Sequence, residues 1–554
     1  MIMREKKQSI LITICFCIIT ILFVLNSLLS TEISFTDEMS YIATALRFYQ
    51  GDALLVEDWS ATQMSSILLM PFVSLWYYIV GNSTGIVLFF RLIYLLMKLL
   101  ITIFAIYRFS RHGTYKIYTV IGIAFYYFFS PYNINTLSYN TIPISMIFLI
   151  TVITLTHKDS NIDWFFCGVF LAIAILSQPF ILLIYVAFSV ALAIYKIIQR
   201  FFTHKIVQNK EYEKIWLYAT LGSISVAFIF FAFIFSRASL SDILNNLPYI
   251  LNEPDHSTSF TQKTLHLIRS LFLDYIFITI INSICIFMCF IKKQKIFRFF
   301  SFFSLLSSCI YLYFKNESFM ENLIFIPFMW FALEQILYYK VPKYILPYIM
   351  ILLSVVGVYF GTNTGILSTS AAMSNFAILS CFIAEDGESQ YLKKQQNKMQ
   401  LYLMTVLILL TLLMRLLIVW RDYFRIEDFQ YYISSGPLSG TYTTEQVKNN
   451  YYNVINDFDS IHLSENDILF CGTHVPVAYL YSDLQYGTMS VAFSSLNYTR
   501  LNAYWELHLD KYPTVIYYNK LSYTDEESEF IDKLYADNWE ITITENRLIA
   551  TKIE

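Results

Sequence analysis

The stretch "SFTDEMSYIATALRFYQGD", Ser34 to Asp52, opens with two adjacent carboxylates, Asp37 and Glu38. A carboxylate can take the proton of a hydroxyl, which is general-base chemistry. The same two acids also have an explanation that needs no chemistry. Met39, Ile42, Leu46 and Tyr49 recur at helical spacing, Thr36 is a suitable N-cap and Gly51 a suitable stop. Asp37 and Glu38 then fall in the first helical turn, where negative charge favours the helix dipole by about 0.3–1 kcal/mol. The residues alone leave both readings open.

Further charged and polar residues stand out because of where they lie. Arg91 and Lys98 are seven residues apart in one greasy segment, so they share a helix face and sit about 10 Å apart along it. A charge in hydrocarbon needs a partner or a cavity. A lipid phosphate would serve Arg91, and an intramembrane acid such as Glu334 would serve the deeper Lys98. Arg415 lies five residues before the end of the last greasy segment, where it either snorkels outward or meets a phosphate. Gln178 sits at the break in "LSQPF". Asn140, in "SPYNINTLSYNTIP", either bonds a substrate hydroxyl or caps a helix. His256, Lys263, His266 and Arg269 are candidates for binding phosphate or simply a wetted face, and "KNESF" contributes Lys315 and Glu317 to the same side.

Asp457 to Asp459, "DFD", could hold a metal, but it lies on an amphipathic helix rather than after a strand, which favours a structural role. Tyr479, Tyr481, Tyr486 and Trp505 could stack on a ligand, though a buried core explains them as well. Neither zinc-ligand spacing nor a phosphate-binding Gly-rich loop is present. The sequence requires no cofactor and leaves a divalent metal open.

The elements that must position these residues are mostly membrane helices. Hydrophobic residues make up 56% of the chain and charged residues 14%, with a mean hydropathy of +0.52. Ser9–Ser30 is uncharged and long enough to cross about 30 Å of hydrocarbon, and no cleavage site follows it. Similar segments recur to about residue 420, and breaks at "SQPF" and "GTNTG" divide two long ones, giving an expected count of about thirteen spans. Lys and Arg concentrate in alternate connections, which predicts a cytoplasmic N-terminus and an extracytoplasmic C-terminus. Met64–Val80 is short and followed at once by another span, so it is expected to lie in the interface with the helix from Asp37, both within the outer loop 31–83.

From Arg421 the composition changes. This part carries nine Lys/Arg against 20 Asp/Glu, a balance of −11, so the membrane part carries +8 toward the total of −3. "TEQVKNNYYNVINDFDSI" puts Val447, Tyr451, Val454, Phe458 and Ile461 on one helical face. Thr524 and Glu527 have capping-box spacing, and "DILFCGT", "TVIYY" and "EITITENRLIATKI" read as strands, the last as a hairpin. Residues 421–554 are expected to form a small extracytoplasmic α/β domain on a polytopic helical membrane domain, 1–420. Seven of eight cysteines lie in spans and only Cys471 lies outside, so an internal disulfide in the outer domain is excluded. The Ile-, Lys-, Asn- and Tyr-rich composition points to an AT-rich bacterial genome, and hence to a bacterial cell membrane. Nothing marks nucleic acid as a partner.

The order of these elements resembles the first outer loop of the GT-C glycosyltransferases, most of all the branch of protein O-mannosyltransferases and the lipid A aminoarabinose transferase. Over about seventy residues the shared pattern is Asp37-Glu38, Tyr41, a helix ending at Gly51, a second interfacial helix and Arg91. The resemblance implies a GT-C-like fold and a donor sugar carried on polyprenyl phosphate. It also implies a catalytic acid at Asp37, beside Glu38, that serves a glycan, lipid or protein acceptor at the bilayer surface. Tyr41, Arg91, Asn140, Gln178, Lys315 and Arg415 become substrate-binding candidates. The chain departs from the family at Asn140, where an acid is common, and at Gln178, where Lys is common. A catalytically inactive binding protein therefore stays open as an alternative, as does a transporter or flippase of lipid-linked saccharides. A transporter would be expected to show internal repeats, and none is visible.

Overall fold

The computed structural model describes residues 37–60, 62–112, 117–130, 134–157, 160–202, 210–252, 260–289, 294–315, 323–361, 373–391, 428–491, 496–537, 539–544 and 547–553, with a few positions between 21 and 29. Most of the first greasy segment, all of the last one with Arg415, and Thr36, His256 and Glu317 lie outside the described residues.

Up to residue 391 the described residues are mainly helical. Helix α1 spans Asp37–Gln50 and α2 Gln63–Val80. They are followed by α3 (Ile86–His112), α4 (Ile117–Phe128), α5 (Thr141–Thr156), α6 (Asn161–Ser177), α7 (Leu182–Phe202) and α8 (Lys210–Phe235). Then come α9 (Leu240–Leu251), α10 (Phe260–Arg269), α11 (Ile276–Met288), α12 (Gln294–Lys315), α13 (Phe325–Tyr339), α14 (Ile345–Phe360) and α15 (Met373–Tyr391). The break at "SQPF" is present: α6 stops at Ser177, a short 3-10 turn covers Pro179–Ile181, and α7 begins at Leu182.

Five stretches are long and apolar enough to cross a bilayer: Gln63–Val80, Ile86–His112, Pro179–Ile197, Glu211–Phe235 and Pro342–Phe360. A pair bent by 71°, Thr261–Asp274 with Ile276–Met288, makes a sixth if it is one span. Other apolar helices, among them Thr119–Phe128 and Thr141–Thr156, run only 10–17 residues. At 1.5 Å per residue these reach about 15–25 Å, short of a full hydrocarbon thickness. The expectation of thirteen counted charge-free runs, whereas the described helices supply five or six of full spanning length.

Gln63–Val80 passes that length test although the sequence suggested an interfacial helix. Its surroundings are informative. At one end Gln63 donates to the Asp58 carbonyl, and the adjacent Trp59 donates its backbone N–H to Met489. At the other end the Tyr77 hydroxyl donates to Asp483 at 3.0 Å. Met489 and Asp483 belong to the same polar C-terminal domain, so α2 lies along that domain instead of leading away from it.

The C-terminal domain is a layered α/β unit. It opens with a small antiparallel pair, β1 (Tyr431–Tyr432) and β2 (Tyr442–Thr443), followed by α16 (Glu445–Asp459). The main elements are β3 (Ile468–Cys471), α17 (Pro476–Ser482), β4 (Gln485–Tyr486), α18 (Tyr498–Leu507), β5 (Val515–Tyr518), α19 (Asp525–Ala536), β6 (Trp539–Thr544) and β7 (Arg547–Lys552). The five-stranded sheet has the order β4-β3-β5-β7-β6, with β4, β3 and β5 parallel and β5-β7-β6 antiparallel.

Alternation along the strands sends Leu469, Cys471, Val515 and Tyr517 to one core, shared with α16 and α17. Phe470, Ile516 and Tyr518 go to the other, shared with α18 and α19. The buried face of α16 is Val447, Tyr451, Val454, Ile455 and Phe458, the stripe expected from its spacing. At α19 Thr524 caps Glu527 as expected, but the Glu527 carboxylate bonds the N–H groups of Ser522 and Tyr523, so the box is displaced.

Three segments that the sequence assigns to one face meet in space. The loop between β1 and β2 accepts the backbone N–H groups of Gly85 and Val87 on Gly436 and Pro437, at the start of α3. Arg500 on α18 donates to the carbonyls of Trp59 and Tyr249, joining the first outer loop, α9 and the C-terminal domain. At the far ends of the helices different pairs form: Arg108 with Asp163, Lys343 with Asp386, and Thr119 with Glu385.

Candidate functional site

Helix α1, expected to lie in the interface, is covered by protein along most of its length. Every residue from Met39 to Phe48 is buried, including Ser40, Thr44 and Arg47, while Tyr49 of the predicted apolar stripe is exposed. The covering material is the C-terminal domain. The Tyr486 hydroxyl donates to the Ala43 carbonyl at 2.9 Å, and α17 packs directly on α1. Gly51 ends the helix with φ of +124°, a conformation that suits glycine.

At the head of α1 the two acids have different surroundings. Glu38 holds Arg91 in a two-pronged ion pair, Nε to Oε1 at 2.8 Å and Nη2 to Oε2 at 2.5 Å. The third nitrogen of that fork, Nη1, reaches the Leu28 carbonyl at 3.4 Å. Arg91 is therefore a fixed cationic plate, oriented by Glu38 in the way Arg–carboxylate forks are. Asp37 begins the helix and stays partly exposed. Tyr41, one turn on, packs edge to face on Tyr139 at 5.4 Å.

Tyr139 precedes Asn140, so this contact brings the loop before α5 to the head of α1. Asn140 does not cap α5 with its side chain; Ser138 does that, accepting the N–H groups of Asn140 and Thr141 on its hydroxyl. The structure thus gathers Asp37, Glu38, Tyr41, Arg91 and the loop carrying Asn140.

The remaining candidates lie elsewhere. Gln178 is buried at the break between α6 and α7, next to Gly361 at the end of α14. Lys315 donates to the Asp274 carbonyl and lies over the rings of Tyr275 and Tyr311. Neither makes a described contact with the residues around Asp37. Lys263 and His266 meet Phe360 and Tyr359.

Lys98 does not pair with Glu334. It donates to the Phe129 carbonyl at 2.8 Å and to Ser130 at 3.1 Å, between the rings of Tyr94 and Tyr126. Glu334 takes the hydroxyl of Ser301 at 2.5 Å instead, within the group formed by α11, α12 and α13. Asp457 is structural as expected, bonded by Arg547 and by the Tyr517 hydroxyl. Tyr479, Tyr486 and Trp505 are core. Among the described residues no three His, Cys, Asp or Glu side chains gather where a metal could be held.

A densely bonded polar centre that the sequence pattern did not mark lies at the tail of α1. Arg47, fully buried, donates Nε to Asp52 at 2.5 Å and Nη2 to the Tyr504 hydroxyl at 2.8 Å and to the Glu57 carbonyl, and its Nη1 lies 3.5 Å from Asp58. Lys511 reaches the other Asp52 oxygen at 2.6 Å. Arg237 donates to the carbonyls of Phe48 and Asp52. Burial alone would discourage charge on Arg47, but Tyr504, Asp52 and Asp58 outweigh it and hold the guanidinium above its ordinary range. Burial pushes the Glu57 carboxyl up, with Asp52 adding to the effect.

Beside this centre, Asn246 on α9 accepts from the Trp59 indole at 2.8 Å and from His508 at 3.0 Å. Burial lowers the His508 imidazole below its usual value. The signal available in the sequence was the run Arg47, Asp52, Glu57, Asp58 between greasy segments. What it cannot reveal is the partner, which lies more than 400 residues away.

No protein-family model matches the chain, and no curated protein matches it either.

Proposed function

We propose that the chain is a membrane glycosyltransferase that moves a sugar from polyprenyl phosphate to an acceptor hydroxyl. We read the face bearing the C-terminal domain as extracytoplasmic, the membrane part as GT-C-like with about thirteen crossings, several of them short, and the cell as bacterial. The observation that carries this reading is the head of α1. A partly exposed carboxylate, Asp37, starts a helix whose residues Met39–Phe48 are all buried, near an arginine already oriented by Glu38.

In the reaction the Asp37 carboxylate takes the acceptor proton while the acceptor oxygen forms a bond to the anomeric carbon. The bond from that carbon to the phosphate oxygen breaks, and its electron pair leaves with the polyprenyl phosphate. Arg91 faces the developing phosphate charge, and Glu38 orients Arg91. Asn140 offers an amide for a sugar hydroxyl.

The experiment compares a deletion strain with its complemented parent. Loss of the protein should remove one sugar from the surface glycans and raise the corresponding lipid-phosphate sugar. Unchanged surface glycans and lipid-phosphate sugars in the deletion strain would refute the reading.

A further inference from the structure

The strand order β4-β3-β5 contains a reversal. From β3 the chain passes through α17 to β4 on one side, then through α18 to β5 on the other, with all three strands parallel. Helices α17 and α18 cover opposite faces of the sheet. In open α/β sheets the crevice beyond the strand ends at such a reversal is where ligands are held, because the two connections diverge there.

The carboxyl ends of β3 and β5 are tightly joined. Gly472 donates to the Tyr517 carbonyl at 2.9 Å, and the Asn519 N–H donates to the Thr473 hydroxyl at 3.1 Å. Any side chain at Gly472 would strike the Tyr518 ring at 2.0 Å.

The loop that follows β3 reaches the head of α1. His474, on the same loop, has Nε2 2.9 Å from the Ser40 hydroxyl, across 434 residues of sequence. Ser40 is 3% exposed and lies three residues after Asp37, on the same helix face. A polar loop at a ligand-binding position of one domain thus touches the catalytic turn proposed for the other.

We propose that the crevice at the ends of β3 and β5 is the acceptor subsite, that it takes a polyhydroxylated headgroup, and that His474 is its positioning residue. This rests on the reading of Asp37 as the base. The chemistry favours an acceptor over the donor. The donor phosphate is anionic and held at the bilayer, whereas this domain carries a balance of −11 and repels anions at long range. The side chains there are a hydroxyl (Thr473), an amide (Asn519) and an imidazole (His474), polar uncharged types that suit hydroxyl recognition. Thr473 and His474 are partly exposed, as is Asn519, whose side-chain NH2 makes no bond among the described residues.

Binding can be measured without transfer. Full-length protein in nanodiscs is probed by saturation-transfer NMR with the methyl glycosides of mannose, galactose and N-acetylglucosamine. Wild type and Asp37→Asn should both show contact with at least one of them. His474→Ala should weaken binding about tenfold, the order expected for one lost hydrogen bond at a well-ordered site. His474→Gln should restore most of it, and both variants should keep a single cooperative melting transition. Undiminished binding by His474→Ala, or no binding of any glycoside by wild type, would overturn the subsite. Sugar transfer by Asp37→Asn at the wild-type rate would instead remove the base assignment and leave the binding result standing.

Discussion

The two ends of α1 show how one short helix divides its work. Its tail, at Arg47, is sealed: one guanidinium meets Asp52, Asp58, Tyr504 and the Glu57 carbonyl with no exposed surface. Its head, at Asp37 and Glu38, is partly open, and the one ion pair described there orients a residue instead of closing a junction. A buried network that joins two distant parts of the chain mainly supports assembly. Under the proposed function the partly exposed carboxylate at the head, near an arginine oriented by Glu38, serves a ligand. Substitutions at the two ends should therefore fail in different ways.

The largest effect is expected at the tail. Arg47→Met removes the guanidinium from buried Asp52 and Asp58, leaving Asp52 its Lys511 contact and Asp58 its bonds from Ser60, and breaking a buried pair costs about 3–5 kcal/mol. The C-terminal domain should detach from the outer loop, seen as a lower melting temperature and new proteolytic cleavage around Asp52–Ser60. An unchanged melting temperature would show that the junction contributes little.

A smaller effect is expected at Arg91. Arg91→Gln should raise the donor concentration needed for transfer strongly, whereas Arg91→Lys keeps the charge without the fork and should lie between. Equal donor dependence in wild type and Arg91→Gln would separate Arg91 from the phosphate.

The junction should also respond weakly to pH. Because His508 is lowered in the folded state, the unfolded chain binds more protons between that lowered value and about 6.5. Stability should fall as the pH drops through this window, and His508→Gln should flatten the slope. An identical slope in the variant would exclude His508 as its source. The smallest effect is expected at Thr524→Ala, which removes one cap and should cost about 1 kcal/mol, read from chemical denaturation.

Local pattern was the most legible part of the sequence. The strands at Ile468–Cys471 and Val515–Tyr518, the final hairpin, the α16 stripe and the break before Pro179 all follow from periodicity, capping and proline chemistry. Burial of α1 was not legible, because its polar face, Ser40, Thr44 and Arg47, is what a wetted helix would also carry. That face is covered by α17 and Tyr486, and sequence does not state such long-range docking. The Lys98–Glu334 pairing failed for a related reason: each charge found hydroxyls and carbonyls within its own helix group. Among the described residues five or six helices reach full spanning length, because charge-free runs such as Ile117–Ser130 fold into helices shorter than a full hydrocarbon thickness. The site residues nearest in sequence, Asp37, Glu38 and Tyr41, do come together with Arg91, whereas Gln178, grouped with them by the resemblance, and Lys315, by sidedness, lie elsewhere.

The central claim is that Asp37 acts as a base and not merely as a helix-terminus charge. The direct measurement is the rate of sugar transfer by Asp37→Asn at matched protein level and matched melting temperature. Loss of a general base lowers a rate by about 10²–10⁴, whereas loss of one dipole contact costs about 0.3–1 kcal/mol of stability and leaves chemistry intact. The account predicts normal expression and folding with transfer reduced at least a hundredfold, and a milder defect in Glu38→Gln. Wild-type transfer by Asp37→Asn would contradict it.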